Sequence, residues 1–334
     1  IFVEPDGLKY NFLHHKLIKI LKKITAKVEV FSIDEAFLDL TECVSTMEDA
    51  RKIALKIKEE IFKDLGEWVT CSIGIAPNKL LAKLASDKNK PNGLFLVDKK
   101  NIEQLLLSSR LTDFCGLGPR TAKDLNENYG IDSVPKLREL SFAKLTEIFG
   151  LCRGQFIFNL CRGLDDSPVI PDSEKDEVKS VSRSYTLRHN TFNKEEILVV
   201  LLHLCESLGQ ELRHKKLAAK TIIVYLRYED FTHAGIRVTL PGYLNDTYKI
   251  FELGNKKIQK YQLAKGVRLV GVYATNLLSN YKQQSIFEID NKFDRLAPYL
   301  DKINDTYGEL TIKPAFLLNL KRLRNKVGGF RPLE

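Results

Sequence analysis

Between Ser32 and Leu40 the chain reads Ser-Ile-Asp-Glu-Ala-Phe-Leu-Asp-Leu, and the adjacent acids Asp34 and Glu35 stand inside a run otherwise rich in apolar residues. Val28, Val30 and Ile33 come before the pair, and Phe37, Leu38 and Leu40 come after it. This predicts two short strands meeting at an acidic tip, with the tip buried. Carboxylates taken out of water need a compensating cation, and two of them at a strand end suit a hard divalent metal ion. On its own, the same run also describes a solvated Asp-Glu turn between ordinary strands.

The surrounding pattern frames that tip. Asp6 is placed to cap a helix on which Leu13, Leu17, Leu21 and Ile24 recur at helical spacing, with lysines on the other side. A second helix carries Ile53, Ile57 and Ile61, a strand follows over 69–75, a third helix starts at Asn78, and a short strand spans 93–97. Together these make most of a split βαβ layer with helices on one face, lacking one strand that would lie upstream. From Asn101 to about Pro168 the pattern changes to short helices broken by glycines, with no strand. The stretch 165–177 is polar, charged and marked by Pro168 and Pro171, as a linker is. Beyond it come a helix over 197–212, strands over 221–228 and 235–240, a helix over 248–258 and a strand over 267–272. The two α+β units share an order of elements but no sequence that would make them a repeat.

With 334 residues, 44% of them hydrophobic, the chain can build two or three domains with ample cores. No apolar run approaches the roughly 18 residues of a membrane span, and no basic-then-apolar leader is evident, so we expect a cytoplasmic protein with no membrane partner. The six cysteines are widely spaced with no Cys-x-x-Cys pair and are expected to be reduced core residues. Lysine and arginine outnumber aspartate and glutamate by 52 to 43, a net charge of +9 that favours a polyanionic partner. The chain opens Ile1-Phe2-Val3-Glu4 and its one methionine is Met47, so further sequence upstream is expected.

Several motifs fit such a partner. Gly116-Leu117-Gly118-Pro119 stands immediately before a helix bearing Lys123, where free backbone amides can hold a phosphate; the bare spacing also fits a plain interhelical turn. Lys79, Lys83, Lys88 and Lys90 line the third helix and its exit. Of these, Lys90 is singled out for meeting a triphosphate, because Pro91 and Gly93 fix its backbone at the edge of the sheet expected to carry Asp34 and Glu35. In the last unit Arg227 and Arg237 fall within strands, where they can face a duplex backbone or simply belong to a scattered basic surface. Gln283-Gln284-Ser285-Ile286-Phe287 reads as either a docking peptide or a stray loop.

Taken together, these residues resemble the Y-family translesion DNA polymerases over nearly the whole chain. The resemblance rests on Ser32 to Thr41, on Cys71 to Gly93 with its Asn78-Lys79-Leu80-Leu81-Ala82-Lys83 and Lys90-Pro91-Asn92-Gly93, on the Gly116 to Lys123 hairpin, and on Val267-Arg268-Leu269-Val270-Gly271-Val272. It implies a multidomain α+β architecture: a partial ferredoxin-like palm over 1–98, an all-α helix-hairpin-helix thumb over 99–166, a linker over 167–178, an α+β little finger over 179–278 and a C-terminal tail over 279–334. It implies low-fidelity, template-directed DNA synthesis in lesion bypass by nucleotidyl transfer to a primer 3′ end. Asp34 and Glu35 would be catalytic ligands of two Mg²⁺ ions, and Lys90 would contact the incoming deoxynucleoside triphosphate. Gly116, Gly118, Lys123, Arg227 and Arg237 would contact primer-template DNA. The protein would be a monomer, with Gln283, Ile286 and Phe287 serving the replication sliding clamp, although Gln284 and Ile286 depart from the usual leucines.

The family's opening strand, with its additional metal-binding aspartate and its gate against ribonucleotides, and the fingers region after it have no counterpart here. Phe2 to Asp6 aligns just past them. The resemblance therefore implies that this chain by itself is a weak or inactive polymerase. The competing reading is a non-catalytic DNA-binding protein of the same descent. An RNA-binding protein is disfavoured, since no paired aromatics stand at strand centres for base stacking.

Overall fold

The structure is a computed structural model that describes residues 6–174, 177–279, 292–308 and 310–318. Two compact units meet in sequence between Lys175 and Asp176.

In the first unit, Asp6 accepts hydrogen bonds from the Leu8 and Lys9 amides and so caps α1 (Gly7–Lys22). The buried face of α1, Ile18, Ile20 and Leu21, packs with Val28 of β1 (Val28–Val30) and with Ile57 and Ile61 of α2 (Met47–Leu65). Antiparallel pairing of β1 with β2 (Ala36–Leu38) sets Val30 opposite Ala36 and leaves 31–35 as the connecting turn, as the acidic run predicts. β3 (Ile73–Ile75) and β4 (Leu94–Leu96) pair in parallel across α3 (Lys79–Ser86), which Asn78 caps through the Leu81 amide. The expected single layer is two separate two-stranded sheets among the described residues, because no described strand bonds to both pairs. The strand expected over 69–75 is also shorter. Its Cys71 carbonyl accepts from the Lys58 ammonium at 2.6 Å.

β3 and α3 touch at Gly74. A Cβ there would come within 2.1 Å of the Ala82 carbonyl oxygen and 2.5 Å of the Ser86 amide nitrogen, both backbone atoms that no rotamer change can move. Gly74→Ala is therefore expected to push α3 off the strand and to cost roughly 1–3 kcal/mol. Hydrogen exchange at the α3 amides measures this, and unchanged protection would rule it out.

The far side of α3 enters a second apolar cluster. Its Leu81 and Leu84 pack with residues of α4 (Ile102–Leu107), α5 (Pro119–Tyr129), α6 (Val134–Glu139), α7 (Phe142–Phe149) and α8 (Leu151–Leu160), among them Leu106, Leu125, Leu137, Leu145 and Ile157. The region 101–174 has no strand among its described residues, in line with its glycine-broken pattern. The start of the stretch read as a linker is fixed to α3: the Leu80 amide donates to Asp165 and Lys79 to the Pro168 carbonyl, and just before it the α3 cap Asn78 donates to the Gly163 carbonyl.

The second unit contains β5 (Ser180–Thr191), α9 (Lys194–His214), β6 (Leu217–Tyr228), β7 (His233–Leu244), α10 (Thr247–Lys260), β8 (Val267–Ser279) and α11 (Lys292–Tyr307). Its strands form one antiparallel sheet in the order β5-β8-β6-β7. Ile197, Leu201, Leu204, Leu208 and Leu212 recur along α9 at helical spacing and pack with Ile222, Val224, Val270 and Val272. Each such fully buried side chain contributes about 1.5–3 kcal/mol. β5 and α11 have no counterpart in the pattern. β5 is an edge strand of mostly serine, threonine and basic residues, whose few apolar positions, Val181 and Leu187, do not read as an alternation. α11 has Pro298 in its interior, a residue that normally argues against helix. It is held to α9 by charge: the Arg213 guanidinium donates to both Asp301 carboxylate oxygens at 2.6 and 2.8 Å, and Gln210 donates to Asp305 at 3.0 Å.

The cysteines depart from expectation. All six are free thiols, but only Cys161 and Cys205 are buried, whereas Cys43, Cys115 and Cys152 are exposed. A cysteine's apolar neighbours in sequence do not decide which face it occupies. Among the described residues, no helix is long and apolar enough to cross a membrane.

Candidate active site

The turn between β1 and β2 is built by its own backbone. The Phe31 and Ser32 amides both donate to the Glu35 carbonyl, at 2.9 and 3.1 Å, which closes the loop and presents Asp34 at its crest. From beneath, the buried His14 of α1 donates through Nδ1 to the Ile33 carbonyl at 2.6 Å. The Ser32 hydroxyl donates to Asp34 Oδ1 at 2.6 Å. Contrary to the expectation of a buried tip, Asp34 is exposed and Glu35 only half-buried. Val28, Val30, Ala36 and Leu38 turn into the core along the strands, while Asp34 at the crest stays in water. Accessible carboxylates are what an incoming ion requires.

Glu35 has a partner that the sequence did not single out for it. Its Oε1 lies 3.1 Å from the ammonium of Lys83 on α3, and the same ammonium lies 3.2 Å from Asp87, one turn further along. Asp87 in turn pairs with Lys90. Burial works to lower the Lys83 pKa, but its hydrogen bonds to Glu35 and Asp87 outweigh this and raise it. Burial likewise pushes Asp87 up, and its hydrogen bonds to Lys90 and Lys83 prevail to hold it down. Lys90 is thus brought into connection with the acidic turn, though not along a shared sheet: it precedes β4, in the other strand pair. Its turn is fixed by more than proline and glycine. The Lys58 ammonium is within 2.6–3.2 Å of the Cys71 carbonyl, the Asn92 carbonyl and side-chain oxygens and the Gly93 carbonyl. Alternation gave no hint of Lys58, because on α2 it reads as one more solvated lysine.

A second ion pair braces the same face. Glu29 of β1 and Lys79 of α3 meet at 2.9 Å with both side chains largely buried. Glu29 also accepts the Ile170 amide at 2.9 Å.

The two glycines of the 116–118 turn do different work. Gly116 has φ of +96°, and a Cβ there would strike the Phe156 ring at 2.7 Å, while Gly118 caps α5 with open space around it. Leu117 between them is buried. Lys123 is exposed and pairs with Glu127 at 3.6 Å, and a surface groove joins the two to Arg120, Thr121, Asp124 and Arg153. In the second unit, Arg227 opposes His233 and Arg237 opposes Ile223, which puts both arginines on the sheet face away from α9. No acidic residue shares that face over 180–186, 221–227, 233–239 and 269–275. The Arg227 guanidinium stacks 4.6 Å from the exposed Phe231 ring, and Arg268 approaches the same ring at 5.2 Å. Gln283, Ile286 and Phe287 lie outside the described residues.

Among the described residues no group of three or more His, Cys, Asp or Glu is gathered as a metal cage. A two-carboxylate site nonetheless suits a magnesium-like ion, which keeps several waters and completes its shell with substrate phosphates. The all-oxygen donors Asp34 and Glu35 fit that pattern.

Residues 1–87 match the impB/mucB/samB family and residues 178–286 match the C-terminal domain of that family. DNA polymerase IV of Desulfatibacillum aliphaticivorans is 32% identical over 324 residues, covering 95% of this chain and 80% of that protein. DNA polymerase IV of Clostridioides difficile (strain 630) is 34% identical over 293 residues, covering 86% and 78%. Among solved structures, a Y-family DNA polymerase chimera of Dbh and Dpo4 superposes with a TM-score of 0.72 at 28% identity, over 84% of this chain and 79% of that one. An insertion ternary complex of Dbh DNA polymerase aligns at a TM-score of 0.53 and 27% identity, over 84% and 79%. The chain belongs to the Y family of DNA polymerases. Within that family its relatives are DNA polymerases IV, of whose length it spans about four-fifths.

Proposed function

We propose that this translesion DNA polymerase extends a primer 3′ end with Asp34 and Glu35 as ligands of two Mg²⁺ ions and with Lys90 as a contact to the incoming deoxynucleoside triphosphate. The observation that carries the reading is the linked placement of the exposed Asp34–Glu35 turn, Lys83, Asp87 and Lys90 on neighbouring elements of one unit. Asp34 and Glu35 would hold these ions, which would supply activation of the attacking hydroxyl and charge stabilisation of the leaving pyrophosphate. The chain's own residues do the positioning. His14 and the Glu35 carbonyl hold the turn, Ser32 orients Asp34, and Lys58 fixes the backbone from which Lys90 reaches the phosphates.

In this reading, 1–98 is a palm, 99–166 a thumb, 167–178 a linker and 179–278 a little finger. The amides at Gly116 and Gly118 with Lys123, and the acid-free sheet face with Arg227 and Arg237, bind the backbone of primer-template DNA without reading its sequence. The protein works as a monomer in the cytoplasm, and Gln283, Ile286 and Phe287 attach it to the sliding clamp.

Primer extension tests the reading. The full-length protein with primer-template, four deoxynucleoside triphosphates and Mg²⁺ is expected to add template-complementary nucleotides and to stop on chelation. Tight DNA binding without any extension would overturn it.

A further inference from the structure

One oxygen of the Glu35 carboxylate is already paired in this structure: its Oε1 lies 3.1 Å from the Lys83 ammonium, a cation with which an incoming ion has to compete. We propose that Lys83 is a placeholder cation for the metal site and Asp87 its receiving partner, so that Lys83 moves from Glu35 to Asp87 when a divalent ion takes Glu35. This rests on the reading of Asp34 and Glu35 as metal ligands.

Three features carry the inference. First, one ammonium is shared between two carboxylates at nearly equal distance, 3.1 Å to Glu35 and 3.2 Å to Asp87, so only a small shift separates the two pairings. Second, Lys83 is 20% exposed, and an ammonium released from Glu35 with no second partner would be left poorly solvated. Asp87, four residues on along the same helix, removes that cost. Third, Glu35 comes from the β1–β2 turn whereas Lys83 and Asp87 both belong to α3 and its C-cap. The handover therefore needs a side-chain rotation on one rigid element and no movement between elements. Without an ion, Lys83 keeps Glu35 neutralised beside Asp34. In the presence of an ion, the two positive charges do not compete for the same oxygens. Lys83 and Asp87 are positioning residues in this scheme, since neither touches the substrate.

Mn²⁺ binding to the full-length protein, followed by the paramagnetic resonance signal of the free ion, tests the proposal without any catalytic readout. Lys83→Met is expected to tighten Mn²⁺ binding about twofold to fivefold, because Glu35 no longer has to be released from a pair. Asp87→Asn is expected to weaken it by a similar factor, since Lys83 then has Glu35 as its one carboxylate partner. Plain long-range electrostatics gives the same two signs, so the double variant decides. A handover requires Lys83→Met/Asp87→Asn to bind as tightly as Lys83→Met alone, because Asp87 then keeps only its pair with Lys90 and has no ammonium to take from Glu35. If the two effects instead cancel to wild-type affinity, or Lys83→Met fails to tighten binding, the proposal is overturned. Lys83→Arg, which restores the pairing, should return towards wild type and guards against misfolding of the methionine variant. Asp34→Asn separates the two levels: Mn²⁺ binding that ignores it overturns the metal-site reading itself, whatever the Lys83 variants do.

Discussion

Asp34→Asn is expected to lower primer extension by about a thousandfold, equivalent to about 4 kcal/mol of transition-state stabilisation at 1.36 kcal/mol per decade. The substitution removes the charge and keeps the shape. Asp34 is exposed, and its hydrogen bond comes from the Ser32 hydroxyl, which the asparagine side-chain oxygen still accepts. Little in the fold depends on the lost charge, so thermal stability should stay within about 0.5 kcal/mol of wild type. Binding of primer-template DNA should also be unchanged, because the basic surfaces proposed for it lie on α5 and on the β6–β7 sheet face. Single-turnover extension measured beside a melting curve and a DNA titration separates these effects. Activity retained within tenfold would remove Asp34 from the metal site.

The second large effect lies far from the chemistry in sequence. Glu206 on α9 faces a small polar cavity lined by His203, Ser207, Gln210, Asp301, Asn304 and Leu310. Burial pushes its carboxyl from the ordinary 4.5 up to about 7; Arg213 works in the opposite direction, and Asp301 and Asp246 add to the rise. Below about pH 4.5 the group is protonated in both folded and unfolded chains and imposes no penalty. Between about pH 4.5 and 7 the unfolded chain ionises first and so binds fewer protons than the folded one. Stability of this unit therefore falls as pH rises through that window, by about 3 kcal/mol in all, and stays reduced above it. Glu206→Gln, neutral at every pH, should abolish the slope and raise stability at pH 8 by about that amount while changing little at pH 4.5. Hydrogen exchange at the α9 amides across this pH range reads the effect. A variant that is no more stable at pH 8 would show that Glu206 ionises freely in the fold.

Much of this protein is legible in local sequence. Helix caps at Asp6 and Asn78, the apolar spacing of α2 and α9, and the strand-turn-strand pattern around Asp34 each depend on residues within a few positions of one another. The same is true of Gly116, whose positive φ belongs to a tight turn before a proline-initiated helix. Local pattern fails where local signals conflict. β5 lacks a clear alternation because it is a polar edge strand, and α11 contains a proline yet is held as a helix by the Arg213–Asp301 pair, 88 positions apart in the chain.

The candidate site divides the same way. Sequence determined that two adjacent carboxylates end a strand, that α3 is basic on one side and apolar on the other, and that Lys90 sits in a rigid turn. Only the tertiary structure decided that the acidic turn is exposed, that Lys83 pairs with Glu35, that Asp87 joins Lys83 to Lys90, and that Lys58 clamps the Lys90 turn from α2. The physical reason is reach. A strand or helix is fixed by hydrogen bonds between near neighbours, whereas the partner of a charged side chain at the end of a long flexible stem is set by which distant elements the packed core brings within about 3 Å.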